Sequence, residues 1–461
     1  MPRWKRSSRG PAPPPRLLPA GGPGAPARLM ARASHPRKVL VWPGGNEIGL
    51  EIWKSLKDCK EVELYSAGTT ASSHAPYVYE RHLVLPDVFS DGWIEAVAKT
   101  VRGLGIDYIY PAHDYVGEAL ARHRSEIPAA VIAPPIEVFD ICGSKRATHR
   151  RFHGKLPMPR LLDPGAEFAF PVFVKPDRGY GSQGARRADD PQMLQALLRQ
   201  RSDLLVFEHM PGREFTVDCF SDRERGLLFA GGRERQRVRM GTSVHAVGAS
   251  DGLNQDFSAM AAVIAAELPL RGPWFFQVKE DRDSTFRLLE INSRIAGTMA
   301  YHRVLGVNFA LLGIFEEERL PLGILVNPIA LEMDRALTNR FRTNLAYERI
   351  YLDLDDSLIR RGRLNIEMVK FLHQSRERGR SITLLTKSLV DPLPVLKSHR
   401  IETLFDEIRW IGEADSKADH IDPAGAIFID DSFSQRREVA ERHGIPTFDP
   451  SMLEMLIDDR M

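Results

Sequence analysis

The sequence predicts a multidomain chain of mixed α/β and α+β class, and three observations carry that prediction. Apolar runs of strand length alternate with helical patterns from Lys38 onward. A strand ending in Lys175-Pro176 runs into a loop with glycines at 179, 181 and 184. Near the C-terminus, Ile350-Tyr351-Leu352 ends in Asp353-Leu354-Asp355. With 461 residues, 43% of them hydrophobic and 27% charged, the chain has material for roughly two to four domain cores.

Residues 1–35 are rich in Pro, Gly, Ala and Arg, a composition that builds no core, so a disordered basic tail is expected there. Residues 1–38 hold nine of the 63 Lys/Arg and no acid, which leaves 54 basic against 61 acidic residues, or −7, in the remainder. The formal +2 of the whole chain therefore belongs to the tail. The remainder shows no basic stripe interleaved with aromatics, which argues against a nucleic-acid partner. The tail lacks the apolar stretch of a secretory signal; an organelle transit peptide and a start at Met30 stay open. No apolar run approaches the ~18 residues of a membrane span. Cys59, Cys142 and Cys219 lack CxxC spacing, which points away from zinc and disulfides and toward a reducing cytoplasm.

Residues 36–133 read as a small parallel α/β unit: Val39-Leu40-Val41-Trp42, a helix from about Glu47, Val62 to Tyr65, a helix around Trp93 to Leu104, then Tyr108 to Tyr110. Its first turn, Pro43-Gly44-Gly45-Asn46-Glu47-Ile48-Gly49, is placed to bind a phosphate or carboxylate, but a plain strand-to-helix turn has the same pattern. His113 and Asp114 follow a strand, where an open sheet places ligand contacts; a helix N-cap at Asp114 explains them equally.

Residues 134–346 open with a basic helical pattern around Ser144-Lys145-Arg146-Ala147-Thr148. Pro171 to Pro176 is a strand, and the glycine loop behind it allows backbone amides to close over phosphates beside the charge of Lys175. Leu204 to Asp218 reads as two strands flanking an acid-bearing turn. Trp274 to Lys279 then pairs by pattern with Phe286 to Arg294. Alternation places Glu290 and Asn292 on one face, where their oxygens suit Mg2+, with Arg294 beside them to neutralise a transferring phosphate. Arg233, Arg235, Arg237 and Arg239 alternate along a strand, so either a cationic substrate face or a charge-protected sheet edge is expected.

In the order of these motifs the stretch from about Lys38 to Leu345 resembles the ATP-grasp superfamily, nearest to single-chain relatives of the carbamoyl-phosphate synthase large subunit. The resemblance implies a pre-ATP-grasp α/β domain over residues 36–133 and an ATP-grasp fold over residues 134–346, with ATP and Mg2+ or Mn2+ as cofactors. It places Lys145 and Lys175 on the nucleotide phosphates, with Gly179, Gly181, Ser182 and Gly184 in the loop covering them. Glu208 would lie at the adenine hinge and Glu214 on the ribose hydroxyls. Gln277, Glu290 and Asn292 would be the metal ligands. The implied chemistry forms an acyl phosphate from a carboxylate and ATP, from which an amine or other nucleophile displaces phosphate.

Residues 347–461 supply a second set of groups. Asp353 and Asp355 stand at one strand end, Thr386 ends the strand Ser381 to Thr386, Lys417 follows, and Ala426 to Ile429 runs into Asp430-Asp431. In this order they resemble the haloacid-dehalogenase superfamily and imply a Rossmann-like domain. Asp353 would attack phosphorus, and Asp355 would protonate the leaving oxygen and then activate water. Thr386 and Lys417 would hold phosphoryl oxygens. Asp430, Asp353 and the Leu354 carbonyl would hold Mg2+, Asp431 would tune the metal shell, and Asp355 would count among the metal residues. Only 28 residues separate Ser357 from Thr386 and 30 separate Thr386 from Lys417, too few for a large cap.

The expected function is a bifunctional carboxylate-amine ligase fused to a Mg2+-dependent phosphatase. A ligase with a non-catalytic, phosphometabolite-binding C-terminal domain is the alternative, and a kinase or carbamoyl-phosphate-type first module remains a third. The expected partners are small carboxylates and amines, phosphorylated forms among them, with a homodimer as an allowed assembly.

Overall fold

The computed structural model describes residues 16–17, 36–70, 72–179, 181, 183–239, 241–338, 340–341 and 343–460. The expected disordered tail lies outside them apart from residues 16 and 17, and so does Ser182 of the glycine loop. The chain divides into two compact units, residues 1–337 and 338–461. Among the described residues no helix is long and apolar enough to cross a membrane.

In the first unit a five-stranded parallel sheet runs in the order Arg81–Val84, Val62–Gly68, Arg37–Trp42, Tyr108–Pro111, Ala130–Val131. The last four residues of Arg37–Trp42 are apolar and buried because it is the central strand, covered on both faces. Val39 and Val41 pack with Ile52 and Leu56 of the helix Glu47–Leu56, whereas Leu40 and Trp42 pack with Trp93, Val97 and Val101 of the helix Trp93–Leu104. The Asn46 side chain accepts from Gly49 N and donates to Ala112 O, both at 2.7 Å. It thereby starts the first helix and ties it to the end of the neighbouring strand. At Gly49 a Cβ would lie 2.5 Å from Pro43 O, so the close approach of helix and turn requires glycine.

A small antiparallel sheet follows, ordered Leu161–Leu162, Leu204–Glu208, Val172–Pro176, Arg186–Ala188. The largest sheet is antiparallel, in the order Phe286–Asn292, Gly272–Glu280, Glu214–Asp222, Gly226–Arg239, Thr242–Gly248, Glu332–Asp334. Strand alternation gives it two unlike faces. Phe215, Val217, Cys219, Trp274, Phe276 and Val278 pack against Phe257, Ala261 and Ile264 of the helix Asp251–Glu267. Each such buried large side chain stabilises by ~1.5–3 kcal/mol. The intervening residues, Glu214, Thr216, Asp218, Phe275, Gln277 and Lys279, form the other face.

The expected arginine alternation stops half-way. The ladder shifts register between Arg235 and Arg237 and again between Arg237 and Val238, so the bulge turns Arg237 and Arg239 away from the face that holds Arg233 and Arg235. Arg237 pairs with Asp334 at 2.5 Å on an exposed edge.

The second unit is a five-stranded parallel sheet ordered Glu407–Trp410, Ser381–Thr386, Arg349–Leu352, Ala426–Ile429, Thr447–Phe448. Met368, Phe371 and Leu372 of the helix Ile366–Glu377 pack on one face with Ile350 and Leu352. Val439 of the helix Phe433–His443 packs on the other with Tyr351 and Phe428. Three adjacent strands end at Leu352, Thr386 and Ile429, so Asp353, Thr386 and Asp430 gather at one sheet edge.

Candidate functional site

Cross-strand register decides which side chains of the first unit meet. Glu214 is opposite Lys279 and Thr216 opposite Gln277; Gln277 is opposite Glu290 and Phe275 opposite Asn292. On the other flank Thr216 is opposite Arg233, and Arg235 is opposite Ala246. Opposed residues share a face, so the polar face of the large sheet gathers Glu214, Arg233, Arg235, Gln277, Lys279, Glu290 and Asn292. It lines a cavity of about 320 Å³, within the range of small-molecule sites. Lys145, Lys175, Gly179, Gly181, Glu208 and Arg294 line the same cavity, with Glu47 and Asp114 from the N-terminal sheet. Gly184 is not among the lining residues, although its neighbours Gln183 and Ala185 are.

Local bonds fix the cationic wall. Ser144 caps the helix Lys145–Phe152 by accepting from Ala147 N at 3.0 Å, and its hydroxyl donates to Asp177 at 2.9 Å. Asp177 also accepts from Arg146 N at 2.8 Å, and the Lys145 ammonium donates to the Asp177 carbonyl at 3.4 Å. The start of that helix is thus stitched to the loop after Lys175. Burial pushes the Lys175 ammonium below its usual pKa, against the opposing pull of the Glu290 carboxylate. Glu208 accepts from Arg160 N at 2.9 Å and Nε at 2.7 Å.

The arginines are engaged differently from expectation. Arg294, expected beside a transferring phosphate, forms a two-pronged pair with Asp114 at 2.8 and 2.7 Å and also donates to Ile295 O. Asp114 is the first residue of the helix Asp114–Arg122, whose N-cap is His113, so the alternative of an Asp114 cap does not hold. Arg235 donates to Gln277 Oε1 at 2.7 Å and to Gly241 O at 2.6 Å, and it pairs with Glu214 at 2.7 Å. Arg233 is fully buried and donates to Asp218 at 2.9 and 3.0 Å, while His302 Nδ1 lies 2.8 Å from the same carboxylate. Burial drives the Asp218 carboxyl upward, but Arg233 and His302 outweigh it and hold the pKa below its usual value.

Lys279 and Arg335 also line the cavity without having been singled out from sequence. The signal for Lys279 was present, since it stands two residues from Gln277 on the same strand and faces Glu214, to which it donates at 3.2 Å. Arg335 carried none, because its place beside Val244, through a backbone bond of 2.8 Å, comes from long-range sheet pairing.

In the second unit the Lys417 ammonium donates to Asp353 at 2.5 Å and to Asp430 at 2.7 Å, all three being buried. Burial raises the Asp353 carboxyl to about 7, with Lys417 lowering it and Asp430 raising it; burial also raises Asp430. Asp353, Asp430 and Asp431 each offer a carboxylate oxygen within 4.8 Å of the others. Asp355 is exposed and lies outside this group. Thr386 is buried, and its hydroxyl accepts from Ser388 N at 3.0 Å. Ser357 accepts from Asp431 N at 2.9 Å and so joins the strand-end loops.

Residues 200–320 match the family described as ATP-grasp in the biosynthetic pathway with Ter operon. Among curated proteins there is no match. Among solved structures, the biotin carboxylase domain of Hydrogenobacter thermophilus 2-oxoglutarate carboxylase, in complex with MgADP, ADP and bicarbonate, is 16% identical with a TM-score of 0.53, covering 63% of this chain and 71% of that one. The biotin carboxylase of Campylobacter jejuni with a β,γ-ATP ligand is 15% identical with a TM-score of 0.53, covering 63% and 74%. An ADP complex of N5-carboxyaminoimidazole ribonucleotide synthetase is 17% identical with a TM-score of 0.53, covering 66% and 81%. At such identities the likeness shows fold: the first unit contains an ATP-grasp domain.

Proposed function

We propose that the first unit is an ATP-dependent carboxylate-amine ligase and the second a Mg2+-dependent phosphohydrolase of haloacid-dehalogenase type. The observation that carries the first half is the single cavity uniting Lys145, Lys175, Gln277, Glu290 and Asn292. Carboxylate and amide oxygens from facing strands are the hard donors that suit Mg2+, and two lysines on separate elements suit a polyphosphate. Mg2+ held by Glu290 and Asn292 would neutralise phosphate charge. Lys145 and Lys175 hold the phosphates against the glycine loop, and Glu214 takes the ribose. The solved structures of like fold name ADP, an ATP ligand and MgADP in their descriptions, which supports the nucleotide assignment.

In the second unit the donor set fits Mg2+: three carboxylates crowd one strand edge, and a buried ammonium holds two of them together. Mg2+ bound there would offset the charge of an incoming phosphate. Asp353 attacks phosphorus as the bond to the leaving oxygen breaks and Asp355 gives that oxygen a proton; Asp355 then takes a proton from water, whose oxygen bonds to phosphorus and frees Asp353 as phosphate leaves, while Thr386 and Lys417 orient the phosphoryl group.

The test is ADP release from ATP by the full chain, screened with paired carboxylates and amines, beside phosphate release from p-nitrophenyl phosphate. ADP formation that needs both an acid and an amine is the expected result. ADP formation with neither would remove the ligase reading. Phosphatase activity that persists undiminished in Asp353→Asn would remove the second.

A further inference from the structure

Just beyond Asp355 the second unit folds a short hairpin, Ile359–Arg360 against Arg363–Leu364, with Arg361 and Gly362 as its two turn residues. Its base is tied to the loop that carries Asp353 and Asp355. Ile359 N donates to Leu354 O at 2.9 Å, Asp356 N donates to Ile359 O at 2.8 Å, and Asp355 forms a β-bridge with Ile359. Ile359 and Leu364 stand opposite each other and pack on the core. Arg360 and Arg363 are the opposed pair on the other face, and both are exposed, as is Arg361 at the tip.

This hairpin breaks two local rules. Like charges placed directly opposite across a strand pair repel, and Arg360 stands opposite Arg363. Both turn residues have positive φ, 51° at Arg361 and 70° at Gly362. That is the type I′ pattern, whose first position favours Asn, Asp or Gly over a long side chain. Among the described residues none of the three guanidinium groups has an ion-pair or hydrogen-bond partner. Rules broken without compensation inside the chain point to compensation from outside it. The reacting phosphoryl group does not supply it, because Asp353, Thr386 and Lys417 are buried and meet the hairpin at its base. Arg361 lies two residues further out than Ile359, roughly 7 Å along the strand.

We infer that the phosphoester hydrolysed by the second unit carries a second phosphate on its leaving group, received by Arg360, Arg361 and Arg363. This rests on the phosphohydrolase reading and narrows its substrate class. A phosphate has three acceptor oxygens and close to two negative charges, which suits several exposed guanidinium forks at once. Between Ser357 and Thr386 the chain forms only this hairpin, the helix Ile366–Glu377 and the strand Ser381–Thr386. No cap in that segment covers the leaving group, so the hairpin is left to hold it.

The experiment uses the full chain at fixed free Mg2+, with p-nitrophenyl phosphate as reporter, and compares the inhibition constants of glucose 6-phosphate and glucose 1,6-bisphosphate. The bisphosphate is expected to bind roughly tenfold or more tightly. Arg361→Asn is the deciding variant. Asn is at home in that turn, so the melting temperature should hold or rise while the gap shrinks severalfold; Arg360→Gln with Arg363→Gln should remove most of the rest. Lys397→Gln is the control for overall charge, since Lys397 is exposed in the last turn of the helix Pro392–Ser398, towards the opposite edge of the sheet. Equal constants for the two sugars, a gap that survives all three arginine substitutions, or a gap lost equally in Lys397→Gln overturns the inference. If p-nitrophenyl phosphate is not hydrolysed, the phosphohydrolase reading fails, and thermal shift with Mg2+ then decides the hairpin's role. Stabilisation by the bisphosphate beyond that of the monophosphate, abolished by the arginine substitutions, supports the phosphate-binding hairpin, and equal stabilisation overturns it.

Discussion

Asp218 and Arg233 occupy the interior of the largest sheet with no exposed surface, bonded to each other, with His302 beside the Asp218 carboxylate. Removing one partner of such a pair leaves the other charged and dry, so Asp218→Ala should destabilise the first unit by about 3–5 kcal/mol in equilibrium denaturation. A loss under 1 kcal/mol would mean that water reaches Arg233. Asp353 shows the opposite balance. Its folded pKa of about 7 lies above the 3.8 of an ordinary aspartate, so without metal its ionisation costs stability as pH rises from near 4 to near 7. Mg2+ needs the carboxylate and must displace that proton. Its apparent affinity, read by thermal shift, should therefore rise by about tenfold between pH 6 and pH 8. A pH-independent midpoint would place the metal elsewhere.

Asn46 shows how one side chain positions an element, since its oxygen caps the helix Glu47–Leu56 and its amide holds the end of the Tyr108–Pro111 strand. Asn46→Ala should cost about 1–2 kcal/mol in the same denaturation assay, with no loss expected if water replaces both bonds. Strands and helices with strict periodicity were readable from sequence. Trp93–Leu104 is a helix over the span its apolar spacing foretold, because a buried stripe and a helical period are one constraint. The arginine strand misled, since residue spacing carries no sign of a bulge, which depends on the partner strand Thr242–Gly248. The pairing of Arg294 with Asp114 was equally unreadable, because the two are 180 positions apart.

At the scale of the molecule, two compact units carry two separate groups of chemistry-bearing side chains. Asp353→Asn should lower phosphate-ester hydrolysis by roughly 10³-fold or more and leave ADP release intact, while Glu290→Gln should do the reverse. Loss of both activities in either variant would contradict their independence. Composition and local pattern already determined that the chain is multidomain α/β, and they put oxygen donors and lysines at the strand ends and loops where the cavity and the carboxylate cluster lie. Those features are short-range, written in periods of two and 3.6 residues. Which side chains are free to act is different in kind. That Arg294 is tied to Asp114, that Arg335 reaches the cavity at all, and that Lys417 bridges Asp353 and Asp430 follow from pairings between residues far apart in the chain, which exist only once the sheets have closed.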